Sequence, residues 1–189
     1  MKNFTRIELP RFNLYDEMKN MFSDGRLYWS SMNQICLNTT ETGPDDFVYG
    51  TGSLTKDWEN ITITQNKDGT ESQTVPDRNP QLTELDFTRL VSVFNNTVFE
   101  EVYNTLKENF SVGRIRLMKM PPHICMSWHD DTSPRLHYPI KTKTGCMMII
   151  EDEVMHIPEN EWWMTDTTKY HTALNSSSET RIHLVAAIL

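Results

Sequence analysis

Hydrophobic patterning changes character twice along the chain. Over residues 1–80 the apolar positions fall in short irregular runs broken by turn formers, which predicts short strands and turns. Within that stretch RLYWSSMNQICL (26–37) has the alternation of a strand pair, and QNKDGTESQTVPDRNP (65–80) is a surface loop by its Asn, Asp, Gly and Pro content. The period then lengthens. Thr83 with Asp86 forms a capping-box pattern that opens a helix through ELDFTRLVSVFN (84–95), and Thr97 with Glu100 forms a better one. Behind the second box Val98, Phe99, Val102, Tyr103, Leu106 and Phe110 share one helical face, the stripe of a helix packed on a core. SVG at 111–113 ends it.

From Arg114 onward the period is that of strands. RIRLMKM, HICMSWH, RLHYPIK, CMMII, VMHI, EWWMTD, YHTAL and TRIHLVAAI are eight short segments separated by turn residues, with no helical pattern between them. Such a series predicts an antiparallel sandwich or barrel, mainly β, with a helical layer from the N-terminal half packed on a jelly-roll core. A chain of 189 residues is most simply one domain: 1–111 supplies N-terminal strands and supporting helices, and 112–189 the barrel.

Composition narrows the classes. No apolar run approaches the ~18 residues of a membrane span, and the opening MKNFTRIELPRFNLYDEM has no apolar core of a signal peptide, so it reads as mature sequence. Cys36, Cys125 and Cys146 lack CxxC spacing, which argues against a disulfide framework or zinc knuckle and suits a reducing cytoplasm. Cys125 and Cys146 read as small buried hydrophobes. The net charge of −8 disfavours nucleic acid or anionic membrane as a partner. Abundant Asn with scarce Ala is the bias that an AT-rich genome, a phage's included, produces.

The six histidines all lie between His123 and His183. His129 and Asp131 stand two apart, and in a strand both side chains would point to one face. Asp130 between them would point the other way. His171 is the best third partner. Two imidazoles and one carboxylate make the facial triad of non-heme Fe(II) oxygenases, which leaves three coordination positions for a bidentate 2-oxo acid and dioxygen. Arg181, ten residues after His171 and flanked by apolar neighbours, is placed inward with His183 on its face. Arg135 and His137 make a second Arg-x-His pair. Guanidinium suits a carboxylate, so two such pairs fit a dicarboxylate cosubstrate. His123 and His156 read as structural or exposed, and Trp128, Trp162 and Trp163 as core or pocket wall.

RIRLMKMPP…WHDD…RLHYPI…NEWWMTDTTKYHTALNSSSETRIHLVAAI resembles the aspartyl/asparaginyl β-hydroxylase family over residues 112–189. The resemblance implies a double-stranded β-helix (a jelly-roll, cupin-like fold) with iron held by His129, Asp131 and His171. It also implies 2-oxoglutarate contacts from Arg181 to one carboxylate and from Arg135 and His137 near the other; His183, on the face of Arg181, is a candidate beside the cosubstrate or a core histidine. The activity it implies is hydroxylation of an unactivated C–H by O2, on an amino-acid side chain of a free amino acid, peptide or protein. PPH at 121–123 stands where the family has Pro-Gly, and Asn160 replaces a common Gly. Two rivals remain. A metal-binding cupin of another activity would match the His-x-x-x-Asn of HTALN but not HDD, and a non-catalytic jelly-roll module would have no use for triad and arginines together.

Overall fold

A computed structural model describes residues 2–57, 60–78 and 81–189. In chain order its first half contains β1 (Phe4–Ile7), α1 (Leu14–Ser23), β2 (Gln34–Cys36), β3 (Asn38–Thr39), β4 (Thr62–Gln65), β5 (Glu71–Thr74), β6 (Arg89–Leu90) and α2 (Val98–Asn109). The second half is β7 (Val112–Met120), β8 (Ile124–Cys125), β9 (Arg135–Lys141), β10 (Cys146–Ile150), β11 (Glu153–Met155), β12 (Trp162–Thr165), β13 (His171–Asn175) and β14 (Arg181–Ile188). One sheet has the order β1-β12-β9-β14-β7-β2, and the sheet facing it has the order β11-β10-β13-β8. Strands β7 to β14 are shared between the two sheets as in a double-stranded β-helix, the fold the patterning and the resemblance lead one to expect.

Alternation along the three central strands of the larger sheet sorts their side chains by chemistry. Leu184 lies between Leu117 and Tyr138, while its neighbour Val185 lies between Arg116 and His137. Ile115, Leu117, Leu136, Tyr138 and Leu184 therefore share a face, and they join Leu14, Met18 and Met21 of α1 and Phe99, Val102 and Leu106 of α2 in one apolar cluster. Each such buried side chain contributes roughly 1.5–3 kcal/mol. The other face, turned towards the smaller sheet, carries Arg114, Arg116, Arg135, His137, Arg181 and His183, all buried. The main apolar core thus lies outside the β-helix, and the inward face of the larger sheet is largely polar, opposite a small apolar cluster of Met148, Ile150 and Ile157.

The helix α2 forms as its stripe predicts, with Thr97 capping it through Phe99 N–H. The helix expected over 84–95 does not form. Two 3-10 turns, Glu84–Asp86 and Ser92–Phe94, flank β6, which pairs with β3 instead. The local box is present, since Asp86 accepts from the Thr83 N–H at 2.6 Å. Strand pairing, with Val91 N–H donating to Leu37 C=O at 2.8 Å, wins over helix propagation. Buried Asn38 ties this region to β7 by donating to Phe87 C=O and Gly113 C=O and accepting from Ile115 N–H.

Other expectations are corrected too. Short strands and turns over 1–80 omit α1, whose stripe of Leu14, Met18 and Met21 is brief and whose cap is Asn13. Of 26–37 only Gln34–Cys36 is a strand; the first half is irregular, with Leu27 buried and Trp29 stacked on Phe22. The stretch 65–80 is exposed as expected but holds one arm of the β4–β5 hairpin, and Asn79 and Pro80 lie outside the described residues. In HICMSWH only Ile124–Cys125 is paired as a strand. Asn160 (φ 59) takes the left-handed conformation that glycine favours, and so does His123 (φ 58) in the turn where the family has Pro-Gly.

Candidate metal centre

The two histidines of the triad meet through their backbones. His171 opens β13, and His129 rejoins that strand by an isolated bridge: His129 N–H donates to His171 C=O at 3.0 Å and His171 N–H to His129 C=O at 2.8 Å. Their rings stand 4.3 Å apart between centroids. Asp131 reaches the same place from a loop, not from a continuing strand, and its N–H donates to Thr167 C=O at 2.8 Å. The ligand atoms of His129, Asp131 and His171 lie within 4.8 Å of one another. Asp130, the rival carboxylate, is exposed.

Each ring is also oriented. Nδ1 of His129 lies 2.8 Å from Ser127 C=O, and Nδ1 of His171 lies 2.9 Å from Lys169 C=O. A carbonyl can only accept, so Nδ1 carries the proton in both rings and Nε2 keeps its lone pair for a metal. Burial lowers the basicity of His171, and the Lys169 carbonyl and Asp131 oppose this. A neutral imidazole is the ligating form. The His171 Nε2 faces Asp131 Oδ2 at 3.9 Å, a gap that an ion between them would bridge.

Deeper between the sheets, Arg181 is buried with no carboxylate against it among the described residues. Its Nε and Nη2 each lie 2.9 Å from a ring nitrogen of His183, and Nη1 lies 3.7 Å from Met120 Sδ. A neutral imidazole offers one lone pair, so His183 satisfies at most one of these donors. His137 stands next to it, Nδ1 to Nδ1 at 3.4 Å, and its Nε2 is buried without a partner. Burial, then the Arg181 charge, holds both imidazoles well below their ordinary pKa, so neither supplies a second cation. A buried, anion-free guanidinium beside an unpartnered ring nitrogen is a fit for a carboxylate ligand.

Arg135 is the predicted residue whose surroundings differ most from expectation. Its Nη2 lies 3.1 Å from Asp131 Oδ1 and 3.4 Å from Glu84 Oε1, and Nη1 donates to Ser133 C=O and Oγ at 3.0 and 2.6 Å. Glu84 itself is gripped by Arg114, which donates from Nη2 to Oε1 at 3.0 Å and from Nε to Oε2 at 3.1 Å. Burial pushes the Glu84 carboxyl up, but the Arg114 hydrogen bonds and charge overcome it and hold the group at about 2. Neither Glu84 nor Ser133 stands out in the sequence. Glu84 looks like the exposed first turn of a helix, and no spacing rule connects it to Asp131.

The remaining candidates divide. His156 is partly buried with Nδ1 on Cys146 C=O, and His123 is exposed. Trp162 is core, Trp163 packs beside Met148 and Ile150, and Trp128 is exposed and stacked on Tyr170. Cys146 is buried, whereas Cys125 is exposed, because β8 is the edge of its sheet. Asn175, the last residue of HTALN, donates to the carbonyls of Met120, Pro121 and Glu179 and so holds a turn together.

Comparison with known proteins adds the following. The family described as Aspartyl/Asparaginyl beta-hydroxylase matches residues 36–189, which begins well before the stretch that carries the motifs. L-proline cis-4-hydroxylase of Rhizobium meliloti (strain 1021) is 29% identical over 91 residues, 45% of this chain and 32% of that one. The chain thus spans about a third of the length of that curated relative. Among solved structures, a 2OG-Fe(II) oxygenase family oxidoreductase from Burkholderia pseudomallei is 12% identical with a TM-score of 0.38, covering 48% of this chain and 49% of its own. AviO1 from Streptomyces viridochromogenes Tue57 is 12% identical with a TM-score of 0.41, covering 98% and 89%. No helix among the described residues is long and apolar enough to cross a membrane.

Proposed function

Because the chain belongs to the aspartyl/asparaginyl β-hydroxylase family, we propose that it is an Fe(II)- and 2-oxoglutarate-dependent hydroxylase of an amino-acid side chain, in a protein, a peptide or a free amino acid. The observation that carries this reading is the convergence of His129, Asp131 and His171 on one point, with the anion-free Arg181 deeper between the same sheets. Ferrous iron and 2-oxoglutarate, when bound, supply the oxidation of a C–H bond by dioxygen.

The chain's own residues then have distinct tasks. His129 and His171 offer Nε2, with Nδ1 held on carbonyls, and Asp131 offers Oδ2. Arg181 takes the far carboxylate of 2-oxoglutarate, with His183 setting the plane of the guanidinium. His137 has a free ring nitrogen for the metal-side carboxylate, the role the resemblance implies for it and for Arg135. Arg135 reaches that carboxylate only by sharing donors now held by Asp131, Glu84 and Ser133. Met120, Met148 and Ile150 line the buried interior as apolar groups and limit water there.

Anaerobic addition of Fe(II) and 2-oxoglutarate should produce a weak visible charge-transfer band, absent in His129→Ala and Arg181→Leu. With O2, succinate should form across some members of a panel of free amino acids and peptides, with a product heavier by one oxygen. An unchanged band in both variants would overturn the assignment.

A further inference from the structure

A metal-ligating carboxylate on a loop has two oxygens and a free torsion, so something must decide which oxygen meets the ion. Here Asp131 Oδ2 faces His171 Nε2 and Oδ1 faces Arg135 Nη2 at 3.1 Å. The Arg135 guanidinium thus occupies one side of the carboxylate and leaves the other for the ion. That placement has an electrostatic difficulty, because a divalent cation beside Asp131 would repel Arg135. Glu84, 3.4 Å from Arg135 and shared with Arg114 and the nearby Arg116, is the carboxylate that offsets part of this repulsion.

Glu84 is not free to follow a moving arginine. Three donors of Arg114, its Nε, its Nη2 and its backbone N–H, fasten both carboxylate oxygens at 2.9–3.1 Å. Arg114 in turn donates from Nη1 to Gly50 C=O and Gly52 C=O at 2.9 and 2.8 Å. The side chains of Glu84, Arg114 and Arg135 are all at most 7% exposed. Gly113 allows the approach, since a Cβ there would lie 2.6 Å from Glu84 Cβ. The chain of contacts runs from the 50–52 segment through Arg114, Glu84 and Arg135 to Asp131, from the N-terminal half into the metal centre.

We propose that Glu84 and Arg135 are positioning residues for the metal-ligating carboxylate: Glu84 fixes the Arg135 guanidinium, which fixes the rotation of Asp131. The inference rests on reading His129, Asp131 and His171 as a metal centre. It gives Arg135 a task that precedes cosubstrate binding, and it gives the N-terminal half a part in holding the metal.

The test uses Mn(II) alone as the probe, with its affinity read from the free-ion EPR signal in the absence of 2-oxoglutarate. Glu84→Gln keeps the shape and removes the charge, and it should weaken Mn(II) binding by about tenfold or more. Glu84→Asp, which keeps the charge, should recover part of the loss. Arg135→Gln should weaken Mn(II) binding comparably, and Asp86→Asn, in the same 3-10 turn but exposed, should not. The Co(II) absorption spectrum of Glu84→Gln should change as well, because the ligand geometry loosens. Circular dichroism checks folding, and should Glu84→Gln fail to fold, Arg135→Gln decides alone. Folded Glu84→Gln with wild-type Mn(II) affinity would overturn the proposal. So would an Arg135→Gln that weakens 2-oxoglutarate binding while leaving Mn(II) affinity intact. Wild-type protein that binds no Mn(II) would instead sink the metal-centre reading beneath it.

Discussion

Arg181 shows most plainly how single residues here are placed against their own stability. A guanidinium buried without an anion is unfavourable, and burial lowers its pKa to about 10, still charged at neutral pH. Arg181→Leu should therefore leave the ligand-free protein as stable as wild type or raise its stability by about 1 kcal/mol or more in denaturant melts. The same variant should lose 2-oxoglutarate affinity by at least about tenfold, since a desolvated charge-assisted pair contributes on the order of 1.5–3 kcal/mol. Glu84 is the opposite case. Its carboxyl falls from 4.5 to about 2 in the folded state, so the charged form is the stabilised one. That stability is fully present above pH 4.5 and drains away as pH falls towards 2, roughly 3 kcal/mol in all. Acid melts of Glu84→Gln should lack this part of the pH dependence. At this scale the cluster of His129, Asp131 and His171 was legible as a candidate, because His-x-Asp, a later His and an Arg ten residues on are chemistry-bearing types in order. Glu84 was not, because an acid in a capping-box pattern has the same letters whether it faces solvent or an arginine.

At the scale of the element, β7 carries both faces of the protein's chemistry on one strand. Ile115 and Leu117 enter the apolar cluster while Arg114 and Arg116 point between the sheets. Gly113 keeps room beside it for Glu84, whose Cβ and Oε2 would stand 2.6 and 2.9 Å from an added methyl. Gly113→Ala should destabilise by about 1–3 kcal/mol in chemical denaturation, and it should weaken Mn(II) binding as well, because the displaced group is Glu84. The β7–β8 turn offers a gain. His123 is exposed at φ 58 and its side chain makes no hydrogen bond among the described residues, so His123→Gly should stabilise by about 1 kcal/mol. Long, strongly periodic elements were readable: α2 from its stripe and cap, β9 and β14 from their alternation. The helix expected over 84–95 was not there, because β3 and Leu37 offered its backbone better partners than its own turns did. Asp131 reached the site by a loop held on Thr167, so the strand geometry inferred for it led to the right neighbours by the wrong route.

The molecule as a whole separates stability from chemistry by using both sides of one sheet. Helices α1 and α2 cover the apolar side, and the polar side closes against the smaller sheet. Ligands that bind only this folded arrangement should stabilise all of it. Mn(II) at about a hundred times its dissociation constant should add ~2.7 kcal/mol, seen as a rise in melting temperature of roughly 5–10 °C. His129→Ala should lose that increment while Arg181→Leu keeps it, and only the wild type should gain further from 2-oxoglutarate. The residue types and their order along the chain were enough to predict a β-helix and to pick out the two histidines and one carboxylate that the fold brings together, because strand period and ligand chemistry are properties of local spacing. Which buried charge neutralises which, and that the N-terminal half reaches Asp131 through Glu84 and Arg135, depended on segments some fifty residues apart packing together. Coulomb and hydrogen-bond energies act over a few ångströms of space whatever the distance in sequence, so only the tertiary structure could decide those pairings.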